Sequence, residues 1–150
     1  MKVLLDTNLL VRLASGDDPN HAIARDAIST LRARGDEVFV VPQNIYEFWT
    51  AVTRQQNGPR LEPSVAVERI ETLLTDFVLL TDPPGLTQAF VQLMKRYEVR
   101  GTNAYDGRLA AAMQLHELTH LLTFNASDFR RYEHITLVDP ANVLSEASDL

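Results

Sequence analysis

Short apolar runs alternate along this 150-residue chain with longer segments of helical period, and that alternation constrains the fold more than any other feature. Val3-Leu4-Leu5, Val38-Phe39-Val40-Val41, Phe77-Val78-Leu79-Leu80, Leu121-Leu122-Thr123-Phe124 and Ile135-Thr136-Leu137-Val138 are β-branched, leucine-rich or aromatic. Each is bounded by Asp, Pro, Asn or Gly, so they read as buried strands. Between them the pattern predicts helices over 7–14, 20–34, 43–56, 63–76, 85–98 and 104–119. Ile45, Phe48, Trp49 and Val52 form one stripe at i, i+3, i+4 and i+7. Pro63 suits a first helical turn and Gly35 a C-terminal cap. Strands alternating with helices imply βαβ units and a mostly parallel sheet of about five strands, covered on both faces. With no repeat and no convincing linker, one domain over 1–150 is expected; Asn57-Gly58-Pro59-Arg60 reads as a loop joining two helices.

Composition narrows the chemistry. There is no cysteine, which excludes a disulfide scaffold, a thiolate metal site and a cysteine nucleophile. The formal net charge of −6 argues against a broad basic surface for nucleic acid, though not against acids gathered in a metal site. An aspartate interrupts the first apolar run at once, and no run approaches a membrane span, so a cytoplasmic protein away from membranes is expected.

In an open parallel sheet, ligands bind beyond the carboxyl ends of the strands. Asp6 follows the first run directly, and Asp128 lies just after the fourth. Either could merely cap a helix. Asp106 opens a long helix, where Asn103 could be the cap with Asp106 three residues on. Yet Asp106 shares a face with Leu109, Ala110 and Met113, and a carboxylate on a buried face needs a cation or hydrogen bonds. Glu47 falls on the flank of its helix, where a solvated side chain is the default.

Taken in order, these residues carry a resemblance. Leu4-Leu5-Asp6-Thr7-Asn8 resembles the opening motif of the PIN-domain nucleases. Ala104-Tyr105-Asp106, Ala110-Ala111-Ala112, Leu122-Thr123-Phe124-Asn125 and Asp128-Phe129 are similar to that family's later motifs, and Glu47 falls where it carries its second acid. Within the family the chain resembles the VapC-type toxins of bacterial toxin–antitoxin pairs. The resemblance implies an α/β/α sandwich and RNA cleavage dependent on Mg²⁺ or Mn²⁺. It makes Asp6, Glu47, Asp106 and Asp128 the metal-holding catalytic acids, with Thr7 and Asn125 orienting them. It also implies an antitoxin partner and a homodimer; for residues 57–85 it implies nothing specific.

The physics agrees. Two carboxylates ~5 Å apart repel by about 3 kcal/mol at an effective dielectric near 20, so such a cluster calls for cations, and oxygen donors suit hard ones. Arg12, Arg54, Arg108, Arg130 and Arg131 are candidates to hold an RNA backbone. Two other roles for the same fold remain: an RNA-processing nuclease outside toxin–antitoxin systems, and a non-catalytic scaffold for RNA or a partner. The filled acid set favours activity. His116-Glu117-Leu118-Thr119-His120 matches the H-E-x-x-H zinc motif of metalloproteases, which requires both histidines on one helical face. Its second histidine falls where a helix gives way to a strand, so a zinc protease is not expected.

Overall fold

A computed structural model describes residues 1–54 and 60–149. Five parallel strands form one sheet in the order β3-β2-β1-β4-β5, with β1 Lys2–Leu5, β2 Glu37–Val40, β3 Val78–Leu79, β4 His120–Leu122 and β5 Thr136–Val138. The helices are α1 Thr7–Ala14, α2 His21–Ala33, α3 Pro42–Thr53, α4 Pro63–Asp76, α5 Leu86–Tyr97, α6 Asn103–Leu115 and α7 Pro140–Ser148. The first three positions of the loop expected at 57–60 lie outside the described residues.

Strand alternation divides the core in two. Val3, Leu5, Val38, Val40 and Leu122 face one cluster, which includes Ala24, Ala27, Ile28 and Leu31 of α2 and Phe48 and Val52 of α3. Leu4, Phe39 and Leu121 face the other, with Leu93 of α5 and Leu109, Ala110 and Met113 of α6. Period-2 side chains on a sheet buried on both faces produce this three-layer packing. Among the described residues no helix is long and apolar enough to cross a membrane.

Local chemistry sets the element ends. Pro42, Pro63 and Pro140 each occupy the first turn of a helix. Gly35, at φ 93°, ends α2 as expected, with Asp36 N–H donating to Leu31 C=O at 3.0 Å. Two expectations need correction, and α7 adds a helix that the sequence pattern does not predict, since it shows little signal beyond Pro140 and the Asp139 cap before it. β3 is not a buried strand: it shrinks to two exposed residues at the sheet edge, where only one neighbour strand covers it. The last helix of the six stops at Leu115 rather than 119, because Glu117 adopts φ 56° and turns the chain toward β4.

Gly107 of α6 has no room for a side chain. A Cβ there would stand 2.9 Å from Tyr132 Oη and would overlap the Met94 methyl of α5. Gly107→Val is therefore expected to destabilise the fold by about 1–3 kcal/mol, read as a lower urea midpoint with an unchanged m-value.

Candidate active site

The strand order reverses at β1, with β2 on one side and β4 on the other, and the crevice beyond their carboxyl ends is where such sheets bind ligands. Asp6 leaves β1 at this point. Its backbone N–H donates to Leu122 C=O at 2.9 Å, and its Oδ1 accepts from Thr7 N–H at 2.7 Å. Asp6 is thus the N-cap of α1, but its second oxygen is committed elsewhere. Thr123 Oγ1, just past β4, donates to Asp6 Oδ2 at 2.7 Å and itself accepts from Asn125 N–H at 2.9 Å.

A parallel chain of bonds holds Glu47. Asn44 is fully buried; its Oδ1 accepts from Val41 N–H at 2.8 Å, and its Nδ2 donates to Leu5 C=O and Thr7 Oγ1, each at 3.1 Å. Thr7 Oγ1, having accepted one bond, donates to Glu47 Oε1 at 3.2 Å. Gln43, also buried, donates to the same Glu47 oxygen at 3.2 Å and to Tyr105 C=O at 2.7 Å, tying α3 to the start of α6. Arg108 Nη1 donates to Gln43 Oε1 at 3.2 Å, while its Nη2 pairs with Asp82 at 3.0 Å.

Asp106 lies one turn into α6, partly buried, and its carboxylate makes no hydrogen bond among the described residues. The cap reading does not apply, since Thr102 precedes the helix and no side chain caps it. Asp128 is exposed on the short 3₁₀ turn Ala126–Phe129. The acids nonetheless feel one another. Burial pushes the Asp106 carboxyl up to about 7, helped by the charges of Asp6, Asp128 and Glu47 and opposed by Arg131. Burial pushes Asp6 up to about 6 against the bonds from Thr123 and Thr7, with Glu47 and Asp128 adding to the rise. Glu47 also titrates above the ordinary range through desolvation, opposed by Thr7, Gln43 and Arg108.

All four acids expected from the sequence therefore share one electrostatic neighbourhood, drawn from segments 6, 47, 106 and 128. Thr7 reaches an acid as expected. The Asn125 side chain makes no such bond; its backbone N–H supports Thr123, and Thr123 does the orienting. Thr123, Gln43 and Asn44 escaped sequence reading as parts of the site, although Thr123 stands inside the quoted motif, whereas Arg108, a candidate from the sequence, reaches Gln43. Arg12 is spent on Asp18 at 2.6 Å, whereas the charge of Arg131 reaches Asp106.

Comparison with known proteins joins this geometry to a family. The family model described as "PIN domain" matches residues 3–135. The chain belongs to the PIN-domain family. Comparison with curated proteins finds no match. Among solved structures, this PIN domain is similar to VapBC2 from Rickettsia felis bound to promoter DNA, at 16% identity and TM-score 0.72 over 93% of this chain and 98% of that one. A toxin–antitoxin complex from Klebsiella pneumoniae matches at 23% identity and TM-score 0.64, over 92% and 97%. VapC20 from Mycobacterium tuberculosis, described as a sarcin–ricin loop cleaving toxin, matches at 20% and TM-score 0.59, over 79% and 86%. At such identities the likeness is one of fold.

The H-E-x-x-H segment is not a metal site of this fold. His116 ends α6 with its Nε2 against Thr81 C=O at 2.8 Å, Glu117 is left-handed, and His120 begins β4 with its Nδ1 at 2.8 Å from Thr119 Oγ1. A zinc helix needs its histidines one turn apart on one face, and the turn at Glu117 breaks that register.

Raised carboxyls have a thermodynamic consequence. Aspartates titrate near 4 in the unfolded chain, so between about pH 4 and 7 the metal-free native state holds more protons and its stability falls as pH rises. In EDTA the urea-derived stability should drop by roughly 1–3 kcal/mol from pH 5 to pH 8, discounted for solvent screening. Asp106→Asn should reduce that drop and leave the metal-free protein at least as stable at pH 8.

Proposed function

We propose that this PIN domain is a divalent-metal-dependent endoribonuclease and the toxin of a toxin–antitoxin pair. The observation that carries the reading is the convergence of acidic charge at the sheet's switch point, where Glu47 and Asp128 act on Asp6 and all three act on Asp106. Four acids sharing a site is unfavourable unless a cation is part of its working state.

The donor chemistry fits a hard ion. Every candidate ligand is an oxygen, and Asn8 Oδ1 is buried beside the site without a hydrogen-bond partner. Among the described residues no three acidic or histidine side chains are arranged to hold a metal by themselves. A Mg²⁺ ion keeps several of its waters and takes one or two carboxylates. Asp6 and Asp106 are the ligands of choice, with Glu47 and Asp128 flanking. When bound, the ion supplies Lewis-acid stabilisation of phosphoryl charge and acidifies water for attack.

The chain's own residues supply the rest. Thr123 and the Thr7 N–H hold both Asp6 oxygens in fixed directions, and the Asn44–Thr7 pair fixes one oxygen of Glu47. Such outer partners preserve ligand geometry while substrate exchanges. Arg108 and Arg131 place guanidinium charge beside Glu47 and Asp106, where it can receive phosphate oxygens. Single-stranded or looped RNA is the favoured substrate, since unstacked bases leave the backbone accessible. The toxin role draws on the similar structures, among them a toxin–antitoxin complex and an RNA-loop-cleaving toxin. An acidic cleft is a natural seat for an arginine-bearing antitoxin tail, with the nuclease itself a homodimer acting in the cytoplasm.

Purified protein should cleave single-stranded RNA in Mg²⁺ or Mn²⁺ and stop in EDTA. Asp6→Asn and Asp106→Asn should abolish cleavage, and neither should show the rise in melting temperature that Mg²⁺ gives the wild type. Thr123→Val, which keeps shape but loses the bond to Asp6, should cost about 10- to 100-fold. His116→Ala and His120→Ala should leave cleavage largely intact. Undiminished cleavage in excess chelator, or by both aspartate variants, would overturn the metal reading. Expression should arrest bacterial growth, and co-expression of a cognate antitoxin should relieve it; soluble protein without growth arrest would remove the toxin role alone.

A further inference from the structure

The acidic centre opens sideways into a cleft of about 490 Å³ between α3 and the start of α6. Glu47 lines it, so the cleft is continuous with the site. Tyr46 and Tyr105 line it as well, each 63% exposed, more than any other large apolar side chain in the described residues. Each tyrosine immediately precedes one of the acids, Tyr46 before Glu47 and Tyr105 before Asp106, and Tyr46 and Tyr105 share the cleft with Glu47. Among the described residues neither phenol hydroxyl has a hydrogen-bond partner, and neither ring packs on another aromatic ring. Gln43 bonds both Glu47 and the Tyr105 carbonyl, which holds the two helices and their tyrosines in register.

Positive charge lies in the same cleft. Arg54 lines it and has no acidic partner among the described residues, and Arg108 is held there by Gln43 and Asp82. An apolar protein surface is a poor occupant, because interface centres are depleted of charge and this cleft has a glutamate and two arginines. A nucleotide matches each part. Its base has two π-faces for tyrosine rings, and its phosphate suits arginine.

We propose that this cleft is a subsite for one unstacked nucleotide of single-stranded RNA next to the scissile phosphate, its base stacked on Tyr46 and Tyr105 and its phosphate paired with Arg54. The proposal rests on the nuclease reading, and it names what that reading leaves open: how the strand is gripped beside the acids. Because aromatic stacking accepts every base, the subsite favours unpaired strand over duplex without fixing a sequence.

The test pairs protein variants with altered RNA. Tyr46→Leu and Tyr105→Leu should each raise KM for a single-stranded RNA oligonucleotide in Mg²⁺ by about 5- to 150-fold, with a much smaller change in kcat. Tyr46→Phe and Tyr105→Phe should restore binding, since the ring rather than the hydroxyl makes the contact. An abasic nucleotide at one position flanking the cleavage point should weaken wild-type binding by a similar factor, yet weaken the double leucine variant no further. An unchanged KM in both leucine variants would overturn the proposal, as would an abasic penalty that persists in the double variant. Sedimentation that shows the leucine variants losing a dimer would also overturn it, by assigning the tyrosines to a second copy of the chain. Wild-type protein that cleaves no RNA would defeat the nuclease reading instead. The subsite would then be judged by fluorescence anisotropy with the same oligonucleotides, where leucine variants binding as tightly as wild type would overturn it.

Discussion

β1 is buried on both faces, and the site follows from that burial. Val3, Leu4 and Leu5 are wholly inaccessible, paired on one side with β2 and on the other with β4. After exposed Lys2 the enclosed stretch carries no polar side chain, so the next charged residue, Asp6, falls at the carboxyl edge. There the neighbouring strands diverge and the helix dipole of α1 begins. The chain that follows β4 arrives at the same edge through Thr123, and β1 and β4 are close enough for Thr123 to bond Asp6.

Acids gathered at that edge oppose stability. Burial raises Asp6, Glu47 and Asp106, the charges of neighbouring acids add to the rise of Asp6 and Asp106, and the fold answers with donors rather than with ion pairs. Two threonines accept a bond from the scaffold and donate one to a carboxylate, so each hydroxyl proton has one direction to point. Asp106 has no such donor, and it is raised further than Asp6. A net repulsive cluster on an otherwise well-packed scaffold is the usual signature of a site selected for chemistry rather than for stability.

Short motifs separate unevenly when the backbone is known. Leu4-Leu5-Asp6-Thr7-Asn8 maps onto a strand end and a helix start, as its residues suggested. His116-Glu117-Leu118-Thr119-His120 matches a metal motif letter for letter, yet spans a helix end, a left-handed residue and a strand start. A spacing carries chemical meaning only on the secondary structure that converts it into a shared face.

The sequence by itself determined the parallel α/β architecture, because alternating strand and helix periods admit few other packings. It determined the emergence of Asp6 at a strand's carboxyl end, and it excluded a thiolate metal site, since no thiol exists in the chain. It made Asp106 a candidate through its place on a buried helical face. The tertiary structure alone decided that Glu47, on a helix flank where solvation is the default, turns to Thr7 and Gln43. It also decided that Thr123 rather than Asn125 orients Asp6, and that β3 is an exposed edge. Periodicity is a local property that chemistry writes every two to four residues. A bond between residues 7 and 47, or 123 and 6, depends on which strands become neighbours, and strand order follows from packing the whole sheet.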